Sequence, residues 1–323
     1  MNWAVLELGK PFSSLSCEDL LAYGRFLANP QPAERWIMSG KKFGRNHPEW
    51  RPFAAALTPN TVRHALVVLN VCFAWLTNAG YLGSNPLWRA PGKRTDKRPP
   101  LTRYFNSTLW ADVKETIEHM PLDTERERKH AVRSRWLFTV LYLGGLRVSE
   151  VTALTMGAFF RCCDAKGIER WWLEVTEKDG TRLVPATDEV MVELTRYRLA
   201  HGLSALPFAG ETVPLIVQVI GHEKSLTRGA LHVIVKDVFR RTAERIRAQG
   251  PEGAARAAVV ESASAQWTRH TALVRMGDQH RDVRHLCDTF GLTSIARASS
   301  YLDSEDNVRH DAFQELHRID WND

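Results

Sequence analysis

The sequence predicts two domains: a smaller one built only of helices, then a mainly helical one that carries a single small β-sheet. Three observations lead there. A basic, Pro- and Gly-containing stretch, Arg89 to Pro100, has almost no apolar content and divides the chain. Upstream of it, apolar residues recur at helical steps in Val62, Leu66, Leu69, Phe73 and Leu76. Downstream, Trp171, Leu173 and Val175 alternate as in a strand, and Asp179-Gly180 supplies a hairpin turn before Arg182, Leu183 and Val184 return.

The elements follow in order. Residues 1–12 read as an N-terminal arm. From Ser16 the pattern turns helical, with Ser16 and Asp19 bracketing a capped start and Leu20, Tyr23 and Leu27 on one face. Asn29 to Pro52 mixes Pro, Gly and the basic residues Lys41, Lys42 and Arg45, and reads as a long loop. Thr58-Pro59 opens the main helix of the first domain, with Arg63 and His64 off its apolar face, and Asn78-Ala79-Gly80 closes it. This domain is set at residues 13–89, the linker at 90–101 and the second domain at 102–323.

In the second domain a helix around Trp136–Leu143 stops at Gly144-Gly145, and another starts at Arg147. Thr187 to Leu199 is helical, residues 204–226 are irregular, and Leu231 to Ile246 is a basic helix carrying Lys236, Arg240, Arg241 and Arg245. Ser304 to His317 reads as a capped C-terminal helix with Val308, Ala312 and Leu316 on one side.

Composition narrows the function. The chain has 323 residues, 44% of them hydrophobic and 25% charged, enough to bury a sizeable core. Lys and Arg exceed Asp and Glu, 43 to 37, a modest excess that favours a polyanionic partner. The basic linker, with Lys93, Arg94, Lys97 and Arg98, is either a solvated tether or a strap against a phosphate backbone. Arg63, Arg240 and Arg241 are further candidates for such phosphate contact. The 5 cysteines include no C-x-x-C pair and read as reduced thiols of a cytoplasmic protein. Met1 to Lys10 lacks a basic region followed by a long apolar run, and no stretch approaches about 18 apolar residues, so neither a secretory leader nor a membrane span is expected. His280 and His285 are 5 apart, which is not one-face helical spacing, and no metal set stands out.

The residues from Gln266 to Tyr301 suggest phosphodiester chemistry. Cutting such a bond without metal requires neutralising charge on two non-bridging oxygens, for which planar guanidinium groups are best suited. It also requires a nucleophile, which a tyrosine hydroxyl can supply, and a proton donor for the leaving oxygen, which a lysine at a loop tip can supply. Arg147, Arg269, Tyr301 and Lys178 have these types. Each also has a plain structural role available: Arg147 pairing with Glu150, Lys178 exposed at a hairpin tip, Arg269 on a helix surface, Tyr301 in a core.

Four stretches resemble the tyrosine recombinase (phage integrase) family, whose Cre- and Xer-like members are site-specific recombinases. Gly145-Leu146-Arg147-Val148-Ser149-Glu150 looks like its first arginine box. Leu173 to Pro185, with Lys178, resembles its catalytic-lysine hairpin. Thr268-Arg269-His270-Thr271 matches its second arginine box, and Gly291 to Tyr301 keeps its spacing from glycine to nucleophile. Thr58 through Pro86 resembles its helical core-binding domain, so the likeness runs from about Ser13 to Leu316. Two positions depart from the pattern: Gln266 stands where the family has histidine or lysine, and Leu292 where it has histidine or tryptophan.

The resemblance implies a core-binding domain and a catalytic domain clamped around double-stranded DNA. Arg147 and Arg269, with Gln266 beside them, would hold the scissile phosphate. Tyr301 would attack to form a 3′-phosphotyrosine, and Lys178 would protonate the departing 5′-oxygen, with no cofactor, metal or ATP. It further implies a homo-tetramer on paired sites, or a hetero-complex with related recombinases, in a bacterial cytoplasm at the nucleoid. The helix after Ser304 is then a candidate for docking between protomers. Two other readings stand beside this one: a DNA-binding or architectural subunit that has lost catalysis, favoured by Gln266 and Leu292, and a topoisomerase IB-like nicking and closing enzyme.

Overall fold

The structure, a computed structural model, describes residues 2–40, 43–87, 103–163, 167–177, 180–219, 224–279, 288–291, 314 and 317–321. The chain divides into two compact units, Met1–Arg98 and Pro99–Asp323. The first is helical in its described residues; the second is mainly helical with one small sheet.

The first unit holds α1 (Asn2–Glu7), α2 (Cys17–Ala28), α3 (Ala33–Trp36) and α4 (Pro59–Asn78). The arm expected at the N-terminus is corrected: residues 2–7 form a helix. Trp3, Ala4 and Leu8 give it an apolar side that packs with Leu15, Leu20, Phe73 and Leu87 in the small core. The Trp3 ring lies tilted against Tyr23 at 5.0 Å, and the Phe12 ring lies flat on Phe73 at 4.7 Å. Within the long loop expected at 29–52, α3 brings Trp36 edge-on to Phe26 at 5.0 Å, burying it. α2 begins at the expected cap: Ser16 Oγ accepts from the Asp19 amide and the Asp19 carboxylate accepts from the Ser16 amide. α4 opens on Thr58-Pro59 as expected. Of its apolar face Phe73 is buried and Val62, Leu66, Leu69 and Leu76 are half-buried.

The second unit is organised around α6 (Glu125–Tyr142), which packs against α5 (Ser107–Glu118), α8 (Asp188–Ala200), α9 (Arg228–Ala248) and α11 (Ala265–Gln279). α6 starts well before the helix expected at 136–143. Its first half, Glu125 to His130, has no apolar periodicity, and its start is fixed by reciprocal capping between Thr124 and Glu127. Trp136, Leu137, Phe138, Val140 and Leu141 on α6 are buried with Val238 and Phe239 of α9. After α6 come α7 (Val148–Ala153) and an antiparallel sheet of β1 (Phe159–Cys163), β2 (Glu169–Glu177) and β3 (Gly180–Pro185), in that order.

In the sheet Leu173 pairs with Phe159 on one side and Val184 on the other, and Val175 pairs with Arg182. Glu177 pairs with Gly180, so Gly180 belongs to the strand rather than to the turn. Leu173, Val175 and Val184 face the core, while Trp171 is half-buried under the Arg161 guanidinium, 5.2 Å away. α10 (Ala254–Ser262) packs on α9. In its described residues the stretch 204–226 is irregular apart from the bridge Val217–Ser225 and a pairing of Pro214 with Thr155. Residues 317–321 lie on α5, α6 and α8. Lys114 Nζ donates to the Ile319 carbonyl at 2.6 Å, and the Glu189 carboxylate accepts from the Ile319 and Asp320 amides at 2.9 Å. No helix among the described residues is long and apolar enough to cross a membrane.

Candidate functional site: three arginines on one turn of chain

The end of α6 sets the site. Its polypeptide leaves through Gly144-Gly145, and Gly145 takes φ +55°, a left-handed conformation suited to glycine. Leu146 turns into the core, which leaves Arg147 at the N-terminus of α7. The Glu150 carboxylate reaches back one turn: Oε2 accepts from the Arg147 amide at 2.8 Å and Oε1 from the Arg147 guanidinium at 2.6 Å. The pairing between these two residues is present, yet the Arg147 side chain remains 44% exposed.

A second guanidinium holds the same carboxylate. Arg182, on β3, donates Nη2–H to Glu150 Oε2 at 2.9 Å and Nη1–H to Oε1 at 3.2 Å. Glu150 is only 9% exposed. Burial alone would raise its pKa. Hydrogen bonds from Arg182 and from the Arg147 amide and guanidinium overcome that and hold the carboxyl at about 2.

The third arginine is Arg269 on α11, and it is no surface residue: it is 6% exposed. Its guanidinium donates to the carbonyls of Gly145 and Phe290 and lies over the Phe290 ring, 5.6 Å from the centroid. The neighbouring carbonyls are held in the same way. Arg182 Nε donates to Thr289 O at 3.0 Å, and Arg147 Nη2 donates to Gly291 O at 2.9 Å. Three consecutive carbonyls, of Thr289, Phe290 and Gly291, thus each accept from a different arginine. Gly291 has φ +57°, matching Gly145 across the contact.

Other predicted site residues fall as follows. Gln266 is exposed on α11, one turn before Arg269. His270 is half-buried, and its Nδ1 lies 3.1 Å from the Arg103 carbonyl; burial lowers its pKa. Arg63 is exposed on α4, 3.3 Å from Asn60 Oδ1. Arg240 pairs with Asp237 and Glu244, both at 2.6 Å, and Arg241 pairs with Asp237 at 2.8 Å. Lys178, Leu292, Tyr301 and the linker cations Lys93, Arg94, Lys97 and Arg98 lie outside the described residues, as does most of the tail helix expected from Ser304.

Sequence reading missed Arg182 and the Thr289–Gly291 carbonyls. The parity of β3 is the signal that could have found Arg182: it shares the inward face with Val184, a position where an arginine requires a buried partner.

No protein-family model and no curated protein matches the sequence. Solved structures match the fold. XerH site-specific recombinase bound to a palindromic difH substrate, in a post-cleavage complex, aligns with TM-score 0.57 at 14% identity, over 95% of this chain and 70% of that one. The Tn1549 transposon integrase in complex with circular intermediate DNA aligns with TM-score 0.51 at 14% identity, over 89% of this chain and 80% of that one. This is the fold of the site-specific recombinases and integrases. In this recombinase fold Arg147 stands at the N-terminus of α7, Arg182 on the inner edge of the hairpin and Arg269 on α11, with the Thr289–Gly291 turn between them.

Proposed function

We propose that the chain is a site-specific DNA recombinase that cuts and rejoins double-stranded DNA through a 3′-phosphotyrosine at Tyr301, without metal or ATP. The observation that carries this reading is the convergence of Arg147 and Arg269, distant in sequence, on adjacent carbonyls of one turn at the edge of which Arg147 stays accessible. Two fixed guanidinium groups suit the developing charge on two phosphate oxygens. Tyr301 Oη gives its proton to water as it attacks the phosphorus, and the 5′-oxygen leaves, taking a proton from Lys178. A 5′-hydroxyl from the partner strand then reverses the attack, so the bond energy is conserved. Gln266 donates a hydrogen bond to a phosphate oxygen without exchanging a proton. Strand exchange takes place in a tetramer, homomeric or shared with related recombinases, on paired sites in a bacterial cytoplasm. Arg63, the linker cations Lys93, Arg94, Lys97 and Arg98, and Arg240 and Arg241 meet DNA phosphates.

The test is covalent trapping. The protein is incubated with nicked suicide duplexes drawn from DNA flanking its own gene, without metal, with Tyr301→Phe as control. A denaturation-resistant adduct that the control lacks supports the reading. Specific binding with no adduct, with cell extract added, overturns it in favour of a DNA-binding subunit without catalysis. Relaxation of supercoiled plasmid without strand exchange points to a nicking and closing enzyme.

A further inference from the structure

We infer that Arg182 is a positioning residue for cleavage: it orients Arg147 through their shared partner Glu150 and fixes the Thr289–Gly291 turn from the strand that follows Lys178. The inference rests on the recombinase reading and names a residue outside the Arg147, Lys178, Arg269 and Tyr301 set.

An arginine with its side chain 7% exposed on a core-facing strand position is costly to bury unless its donors are met. Arg182 meets them on two separate partners. Nε goes to a backbone carbonyl of the turn, and the two Nη groups go to the two oxygens of one carboxylate. That fork geometry belongs to a guanidinium and cannot be reproduced by the point charge of a lysine. Arg198 is buried deeper still and pairs with Glu211 at 2.9 Å, but its other described contacts go to Met156 Sδ and to Ser204, in a loop remote in sequence from every predicted site residue. The carboxylate that Arg182 holds is shared with Arg147, whose side chain stays partly exposed. One side chain therefore ties three parts of the constellation: the strand following Lys178, the start of α7 at Arg147, and the turn whose next carbonyls are held by Arg269 and Arg147. Without Arg182, Glu150 keeps one guanidinium and gains freedom to rotate, and the Thr289 carbonyl loses its donor.

The experiment uses the full chain with Arg182→Lys and Arg182→Gln. Thermal unfolding checks folding, the affinity for duplex DNA is measured in a Tyr301→Phe background, and the rate of adduct formation is measured on nicked suicide duplexes. The expected result is that Arg182→Gln binds DNA within about twofold of the parent while its adduct rate falls about a hundredfold, the scale of misplacing a reacting group. Arg182→Lys is expected to recover part of that loss, because it restores the charge beside Glu150. Combining Arg182→Gln with Glu150→Gln is expected to cost little more than the worse of the two, since they act along one line of contacts. The inference is overturned if folded Arg182→Gln cleaves at the parental rate, if binding and cleavage fall in proportion, or if the losses of Glu150→Gln and of either Arg182 variant simply multiply. Should Arg182→Gln fail to fold, Arg182→Lys with the Glu150→Gln cycle decides alone. A parent protein that binds DNA but forms no adduct would instead overturn the recombinase reading.

Discussion

The ring of Phe290 occupies the space where a side chain on Gly145 would begin: a Cβ built there would lie 2.3 Å from Phe290 Cε1. Gly145 also carries φ +55°, so its conformation and its packing both exclude other residues. Its carbonyl accepts from Arg269, as does that of Phe290, so the contact holds together both ends of the arginine's grip. Gly145→Ala is therefore expected to destabilise the second unit by about 2–4 kcal/mol, from left-handed strain together with overpacking. The same variant is expected to lower the adduct rate, because Arg269 loses its fixed partners. Urea unfolding and the trapping assay measure the two effects. A stability within error of the parent would mean that the Phe290 ring is free to move aside.

Glu150 gives the fold a pH dependence whose sign follows from its depressed pKa. The folded value is about 2, against an ordinary 4.5. Its stabilising contribution is complete above about 4.5 and is lost as pH falls towards about 2; the shift corresponds to about 3 kcal/mol at most. Glu150→Gln removes that dependence and leaves Arg147 and Arg182 without their charge partner. The variant is expected to be less stable than the parent at pH 7, and the gap is expected to narrow between pH 5 and pH 2. Urea midpoints across that range check it. A gap that stays constant would show that the carboxyl titrates normally.

How much of this was legible in the sequence depends on which forces set each element. Caps and breakers are local chemistry: Ser16, Thr58-Pro59 and Gly144-Gly145 mark helix ends in the sequence and mark them in the structure. The hairpin of β2 and β3 was legible because Leu173, Val175 and Val184 alternate, whereas β1, with exposed Arg161, Cys162 and Cys163, carries no such pattern and was not read. The first half of α6 was not, because Glu125 to His130 carries no apolar stripe and its start depends on two side chains capping each other. The short helix α1 was missed because six residues make no periodic pattern, and packing against Phe73 and Tyr23 supplies what local propensity lacks. At the site, residue types and boxes named Arg147 and Arg269. The mutual arrangement is tertiary: Arg182 meets Glu150 and Thr289 only after the hairpin folds back, a contact that no spacing in the sequence announces.

The last described residues are part of this chain's own core. His317 is buried with its ring 4.9 Å from that of Tyr142, Ile319 is buried, and Trp321 lies under the Arg135 guanidinium at 4.6 Å. Ile319→Ala is expected to cost about 2–4 kcal/mol, as for other buried aliphatic residues. Thermal unfolding and limited proteolysis read the loss. Docking between protomers by the helix expected after Ser304 needs a test that spares this core. Deleting everything beyond Asp303 also removes His317 and Ile319 from the core, so lost synapsis in that deletion would not isolate a contact between subunits. Substitutions confined to Val308 and Ala312 are the cleaner probe.

Arg240 and Arg241 give the sharpest test of the proposed DNA contacts, because their charge is already partly spoken for. Both pair with Asp237, and Arg240 also pairs with Glu244 on the next turn of α9. Asp237 is half-buried, but both arginines are partly solvated and such pairs contribute little to stability, so a phosphate can displace the carboxylates at small cost. If both arginines meet phosphates, replacing them with glutamine is expected to reduce the slope of log affinity against log salt by about 2, with little change in the discrimination between specific and unrelated duplexes. Asp237→Asn is expected to act oppositely on affinity, tightening binding at low salt because two guanidinium groups lose their competing acceptor. Filter binding or anisotropy over a salt series measures both. An unchanged slope in the double variant, together with unchanged affinity in Asp237→Asn, would assign the cluster to the solvated face of α9 and leave phosphate contact to the linker cations.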